Sequence, residues 1–154
     1  MNTMSETFGG IDVSAVDEFQ HQHSIVLSET YRQFLVEFNG GKPRDGEFAV
    51  PGWGSTIIQR FYGLHTGNAY DLEDAWDRVN DHEENEVLPI ASDPGGWQIF
   101  LVVRGPYAGA LYFVDHKDYE SEPIRIGESF EAFFHGLHPD GSFGGDGNLT
   151  VLAR

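Results

Sequence analysis

The segment from Leu27 to Gly41 constrains the fold more than any other, because it holds a complete amphipathic helix with its start and stop signals. Ser28 is a favourable N-cap residue, and Asn39-Gly40-Gly41 supplies the left-handed residues with which helices end. The pattern therefore predicts a helix over residues 28–38. Its apolar side chains recur at helical spacing and form one stripe, made of Tyr31, Phe34, Leu35 and Phe38. Such a stripe must be buried against another element.

The rest of the sequence predicts three further helices and an antiparallel sheet. The helices are expected over residues 11–19, 71–81 and 128–137, each from a similar apolar stripe. Strands are expected at residues 48–50, 57–62, 87–91, 97–103 and 110–115, with 124–126 as a further edge strand. Pro51 to Gly54 is expected to form a loop rather than a tight hairpin. The fold class that follows is α+β, with an antiparallel sheet of about five or six strands and helices packed mainly on one face.

The length of 154 residues suits one domain. Residues 1–10 are expected to form a flexible N-terminus, residues 11–137 the domain, and residues 138–154 a weakly packed tail, since that last region is rich in glycine. The first eight residues lack the basic and apolar regions of a signal peptide, and no apolar run approaches the ~18 residues of a membrane span. Together with the absence of cysteine, this predicts a cytoplasmic location.

The chain is strongly acidic, with a formal net charge of −16 from 25 acidic and 9 basic residues. Affinity for phosphate backbones and anionic membranes depends on lysine and arginine, so direct binding to nucleic acid or to a membrane is disfavoured. A basic protein is the natural partner of such a surface. The same charge would also serve solubility alone, and charge by itself does not separate the two interpretations.

Carboxylates are concentrated around the predicted third helix. Eight of them fall within sixteen residues, namely Asp71, Glu73, Asp74, Asp77, Asp81, Glu83, Glu84 and Glu86. On the helix, Asp74, Asp77 and Asp81 lie on the face away from Trp76 and predict an acidic ridge that continues into the loop at Glu83 and Glu84. With Asp71, these residues are the candidate partner-binding surface. The alternative is an ordinary solvated helix face.

Two aromatic residues are further candidates for partner binding. Trp53 and Tyr107 lie beside glycine and proline in predicted loops, the setting in which an aromatic side chain anchors an interface or lines a small-molecule pocket. Most of the other aromatic residues are expected in the core. The two loop aromatics therefore extend the candidate binding surface beyond the acidic ridge.

Motifs for metal binding, cofactor binding and catalysis are missing from the sequence. The pairs His21-x-His23 and Asp115-His116 match no recognised metal-ligand spacing, and the glycine pairs lie in the wrong context for a phosphate loop or a dinucleotide fingerprint. Serine, threonine and tyrosine occur without a recognisable base, so we expect neither a cofactor nor an enzyme activity. Paired carboxylates for glycoside chemistry stay open, because their separation is a three-dimensional quantity.

The pattern L-x-x-x-Y-x-x-F-L-x-x-x-N-G-G at residues 27–41 resembles the opening motif of the SUKH superfamily, the Smi/Knr-type domains of yeast cell-wall regulators and bacterial toxin-immunity proteins. Four later motifs follow in the family's order, and they are Phe61-Tyr-Gly-Leu64, Leu88-Pro-Ile-Ala-Ser-Asp-Pro-Gly-Gly-Trp97, Leu111-Tyr-Phe-Val-Asp-His116 and Ser129-Phe-Glu-Ala-Phe-Phe134. The resemblance covers roughly residues 12–137. Leu27-Ser28 replaces the Leu-Pro that is frequent in the family.

The resemblance implies a SUKH-like α+β fold and a non-enzymatic protein-binding domain. Its most concrete form is a bacterial immunity protein that neutralises a cognate toxin with a basic, nuclease-like surface. The same family also admits a regulatory scaffold. A different class stays open as well, namely a small-ligand binder or hydrolase that uses a groove between the sheet and the loops at Trp53, Trp97 and Tyr107. The oligomeric state is not predicted.

Overall fold

The computed structural model describes residues 2–79, 86–115 and 122–143. The helices are α1 (Val13–His23), α2 (Glu29–Glu37), α3 (Leu72–Val79) and α4 (Phe130–His135). The strands are β1 (Met4–Ser5), β2 (Lys42–Pro43), β3 (Glu47–Val50), β4 (Gly54–Ile57), β5 (Arg60–Phe61), β6 (Val87–Ser92), β7 (Gln98–Val102), β8 (Leu111–Val114) and β9 (Ile124–Gly127). The α+β class is confirmed.

The main sheet contains five antiparallel strands in the order β5-β6-β7-β8-β9. Strands β6, β7 and β8 follow one another as the meander that the sequence predicted. Along β7, Ile99 and Leu101 face the core, and Phe100 and Val102 alternate with them on the opposite face. Two smaller two-stranded sheets, β1-β2 and β3-β4, complete the described strands.

The region around Trp53 differs from the expectation in two ways. Strands β3 and β4 pair from Glu47↔Ile57 to Val50↔Gly54, so their connection is a tight hairpin and not an open loop. Positive φ angles at Gly52 and Gly54 make this tight connection possible, since residues other than glycine rarely adopt such angles. The strand expected over 57–62 is split after Ile57, because the amide of Ile58 bonds to Gly46 and the next amide bonds to Ser92 of β6.

Helix α2 follows the predicted signals closely. The hydroxyl of Ser28 accepts a hydrogen bond from the amide of Tyr31 at 3.3 Å, which is N-cap geometry. At the other end, Asn39 adopts φ +54° and is followed by two glycines with positive φ. The side-chain amide of Asn39 is buried, donates to the carbonyl of Leu64 at 2.8 Å and accepts from its N–H at 2.7 Å. The Asn-Gly-Gly sequence therefore ends the helix and also joins it to a distant loop.

The two outer helices differ in length from the prediction. Helix α1 continues to His23 instead of ending before His21, because the ring of His23 packs between Phe19 and Trp76 and extends the buried face. Helix α4 is shorter than expected, since Ser129 caps its start and Gly136 bonds back to Ala132 at its end.

One hydrophobic core joins the helices to the sheet. The ring of Phe34 lies near its centre, with ring centroids 5.0–6.2 Å away in Tyr31, Phe38, Phe61, Phe130 and Phe134. The apolar stripes of α2 and α4 thus meet over the sheet. Their burial is the main contribution to stability that the composition predicts.

Both terminal regions make hydrogen bonds to the domain. Strand β1 pairs with β2, and the side chain of Asn2 donates to the carbonyl of Asp45 at 2.6 Å, so this part of the expected flexible N-terminus is paired. After α4, His138 and Glu47 exchange backbone hydrogen bonds, and the buried carboxyl of Glu47 accepts from the amide of Phe143 at 3.2 Å. Residues 144–154 of the expected tail lie outside the described residues.

Candidate functional site

Asp71 has a local role at the start of α3. One carboxyl oxygen accepts from the amide of Glu73 at 2.9 Å, and the other accepts from the amide of Thr66 at 3.0 Å. The first contact caps the helix, and the second fixes the loop before it. Asp71 therefore acts as the expected N-cap, and both of its carboxyl oxygens are already engaged.

Asp74 and Asp77 lie exposed on α3, while Leu72, Ala75 and Trp76 are buried beneath them. Residues three apart share a helix face, so these two carboxylates stand side by side, and we call them the acidic ridge. Within residues 2–79, 86–115 and 122–143, neither forms an ion pair. The other ridge candidates, Asp81, Glu83 and Glu84, lie outside the described residues.

A contact between two helices holds α3 in place. The carboxylate of Glu73 lies 2.9 Å from Nε2 of His23 on α1, and the imidazole ring of His23 packs on Trp76 with centroids 4.5 Å apart. Trp76 in turn meets Phe19 edge to face at 6.5 Å. Because one face of α3 is fixed by these contacts, the acidic ridge on its other face belongs to a defined surface.

Several of the few cations make contacts within the protein. Arg32 contacts Asp17 at 2.7 Å, and Arg60 contacts Glu6 at 2.9 Å. The guanidinium group of Arg104 donates to the backbone carbonyls of His23 and Ser24. Acidic residues outnumber basic ones by 25 to 9, so such contacts within the protein neutralise only a small part of the negative charge.

Trp53 sits at the tip of the β3–β4 hairpin and is 41% exposed. Its ring contacts Trp97 and Phe113, with centroids 5.4 and 5.1 Å away. The turn before Trp97 is ordered by Asp93, whose buried carboxyl accepts from the amide of Trp97 at 2.8 Å and from the hydroxyl of Thr56 at 2.9 Å. Trp53 is thus the outer member of a supported aromatic cluster.

Tyr107 is 63% exposed and lies in the connection between β7 and β8. Trp97 comes just before β7 and Tyr107 follows it, so a five-residue strand, about 17 Å long, separates them. In the described part of the chain, Trp53 and Trp97 therefore lie at one end of β7 and Tyr107 at the other, rather than around the single groove that the small-ligand hypothesis expected. Tyr107 instead lines an apolar cavity of about 260 Å³ with residues of the outer sheet face, including Phe100 and Tyr112.

The described residues contain no group of three or more histidine, aspartate or glutamate side chains placed to hold a metal ion. Among the described helices, none has the length and apolar character needed to cross a bilayer. His116 of the Asp115-His116 pair is not among the described residues.

The sequence interpretation missed three residues that position the candidate surfaces. They are His23, which joins α1 to α3, Glu47, which binds the segment after α4, and Asp93, which orders the turn at Trp97. Asp93 was recognisable as the first residue of an Asp-Pro-Gly-Gly turn, where aspartate commonly bonds to nearby amides. The partners of His23 and Glu47 are 50 and 96 residues away along the chain, so no local signal could have revealed them.

Comparison with protein families gives a match over most of the chain. Residues 10–136 match the sequence model of the SMI1 / KNR4 family (SUKH-1). This range includes all four helices, and the match confirms the resemblance carried by the motif at residues 27–41. No curated protein matches the chain significantly.

Proposed function

We propose that this chain, which belongs to the SMI1 / KNR4 family (SUKH-1), is a non-enzymatic, cytoplasmic protein-binding domain. More specifically, we propose a bacterial immunity protein that binds and neutralises a cognate toxin with a basic, nuclease-like surface. The observation that carries the proposal is the exposed acidic ridge of Asp74 and Asp77, which forms no ion pair with any described residue, on a chain with net charge −16.

Electrostatics explains how such a surface would work. A nuclease binds the phosphates of its substrate with lysine and arginine. Closely spaced carboxylates can take the place of these phosphates on the same basic surface. Complementary charge raises association rates toward ~10⁸–10⁹ M⁻¹s⁻¹ at low salt. Because the ridge is exposed, salt screens this attraction over roughly 8 Å at physiological ionic strength. We therefore expect capture of the partner to slow as salt increases.

The support beneath the ridge favours binding in a second way. The N-cap at Asp71, the contact between Glu73 and His23, and the buried ring of Trp76 hold α3 in one orientation. A surface that is fixed before binding loses less conformational entropy when the complex forms. Trp53 and Tyr107 are proposed as aromatic anchors in addition to the charged contact, since exposed tryptophan and tyrosine often carry binding energy.

Affinity capture from the source organism's lysate tests the proposal. Wild-type protein is compared with the double variant Asp74→Lys/Asp77→Lys at low and high salt, and bound proteins are identified by mass spectrometry. The matched control is Glu122→Lys/Glu131→Lys, which makes the same change in net charge at exposed positions next to β9 and on α4. Strands β6, against which α3 packs, and β9 lie apart in the sheet, so the control leaves the ridge intact.

The proposal predicts that wild type and the control capture one basic, toxin-like protein at low salt and release it at high salt. The ridge variant should retain much less of this protein. Equal loss in both double variants would mean that net charge alone attracts the protein. Capture of a partner that is not toxic would favour a regulatory scaffold instead. The absence of any protein partner would contradict the proposed class.

A further inference from the structure

A second surface lies along α2, away from the acidic ridge. A groove of about 400 Å³ is lined by two valines and four polar residues, which are Val13, Glu29, Arg32, Gln33, Val36 and Glu37. Val13 is 51% exposed and Val36 is 37% exposed. Single exposed apolar side chains are ordinary, but two that line one concavity form a small apolar floor.

The backbone fixes the two valines relative to each other. The amide of Gly10 donates to the carbonyl of Phe38 at 3.3 Å, and the amide of Ile11 donates to the carbonyl of Val36 at 3.1 Å. These bonds join the chain just before α1 to the end of α2 and satisfy carbonyls that a helix end leaves free. These bonds therefore hold the start of α1, where Val13 lies, against the end of α2, where Val36 lies.

The charges around the apolar floor are mainly negative. Arg32 supplies one positive charge, but it contacts Asp17 at 2.7 Å and Glu29 at 3.8 Å. Together with exposed Glu37, these groups carry three negative charges and one positive charge, a net charge of −2. The groove thus presents apolar side chains between carboxylates, and its complement is an apolar stripe flanked by cations.

We propose that this groove docks a basic amphipathic helix of a partner protein, with apolar side chains on Val13 and Val36 and lysine or arginine beside Glu29 and Glu37. An amphipathic helix places such anchors at i, i+3, i+4 and i+7, which suits binding in a groove. The inference rests on the proposed function in one respect, since it takes the partner to be basic. It concerns a different surface, so it can fail while the ridge proposal stands.

A titration followed by amide NMR tests the groove with a defined probe. The probe is a 14-residue peptide of leucine and lysine with leucines at helical spacing, and a scrambled peptide of equal composition is its control. The variant Val13→Ser/Val36→Ser removes the apolar floor and leaves every charge in place. Val26→Ser is the matched control, because Val26 is 86% exposed and does not line this groove.

We expect the amphipathic peptide to shift amide signals around Val13, Arg32 and Val36, and to bind more tightly than the scrambled peptide. The double serine variant should raise the Kd about tenfold, since it removes roughly the contact area of one buried valine side chain. Val26→Ser should leave the Kd within about twofold of wild type.

Four results would overturn the inference. Shifts confined to α3 would move the binding to the acidic ridge and leave the proposed function intact. Equal losses from Val26→Ser and from the groove variant would show that the groove valines have no specific role. Sedimentation showing that the free chain dimerises, with the groove variant monomeric, would make a second copy of the chain the occupant. Capture of a basic partner that the groove variant still binds normally would reject the groove alone.

Discussion

Removing the side-chain amide of Asn39 should lower the free energy of unfolding more than the loss of one exposed hydrogen bond would. Asn39 is 3% exposed, and its side-chain amide makes two hydrogen bonds to the backbone of Leu64, a residue 25 positions away and also buried. Asn39→Ala would therefore leave a buried N–H and a buried C=O without partners. It would also place alanine at φ +54°, a conformation that asparagine tolerates better.

The magnitude follows from these losses. Each buried backbone group left unpaired costs about 1–3 kcal/mol, and the left-handed backbone adds about 1 kcal/mol for alanine. Asn39→Ala should thus lower the free energy of unfolding by about 3–7 kcal/mol, which corresponds to a Tm decrease of roughly 10–20 °C for a chain of this size. Asn39→Gly removes the same amide but tolerates the positive φ, so it should lose about 1 kcal/mol less.

Urea unfolding followed by circular dichroism and tryptophan fluorescence measures these changes. Asn68→Ala is the matched control, because its side-chain oxygen accepts from the amide of Tyr70 at 2.9 Å in an exposed turn and should contribute less than about 1 kcal/mol. A loss below about 1 kcal/mol for Asn39→Ala, or equal losses for the alanine and glycine variants, would refute the reasoning.

Three further predictions concern single positions. The hydroxyl of Tyr31 is buried without a partner among the described residues, so Tyr31→Phe should leave stability at pH 7 unchanged or higher in denaturant unfolding. Burial also raises the pKa of Tyr31 in the folded state, because the charged phenolate would lose its hydration there. The stability that Tyr31 contributes in its neutral form is therefore fully present below the unfolded pKa of about 10 and is lost as pH rises further. Tyr31→Phe should reduce this loss of stability at alkaline pH. Gly10→Ala should cost about 2 kcal/mol or more by thermal unfolding, because a Cβ there would lie 2.6 Å from the carbonyl of Val36 at φ +79°. Thr56→Val should cost about 1–3 kcal/mol and shift the fluorescence of Trp97, since the buried carboxyl of Asp93 loses one of its donors; an unchanged spectrum would contradict that coupling.

The local part of the fold could be predicted because its signals are contained within short segments. Ser28 and Asn39-Gly40-Gly41 defined both ends of α2, and apolar spacing located all four helices. The errors occur where distant contacts decide the outcome. Helix α1 extends because His23 packs on Trp76. The strand expected over 57–62 divides because Ile57 pairs in the β3–β4 sheet and Arg60 and Phe61 pair in the main sheet.

The candidate surfaces were less predictable for the same reason. Charge density indicated the acidic ridge, but only packing shows that Asp71 is occupied by capping while Asp74 and Asp77 point outward. The α2 groove left one weak signal, since Val36 is apolar yet lies off the stripe of Tyr31, Phe34 and Leu35. Its partner Val13 is 23 positions earlier, and no periodicity connects the two.

Growth rescue is the measurement that tests the central claim most directly. The basic partner obtained by capture is expressed in a bacterial host together with wild-type protein, the ridge variant Asp74→Lys/Asp77→Lys, or the control Glu122→Lys/Glu131→Lys, and growth is recorded. We predict that the partner alone arrests growth, that wild type and the control restore it, and that the ridge variant does not. Growth arrest that wild type cannot relieve, or rescue that is equally strong with the ridge variant, would contradict neutralisation through the acidic ridge.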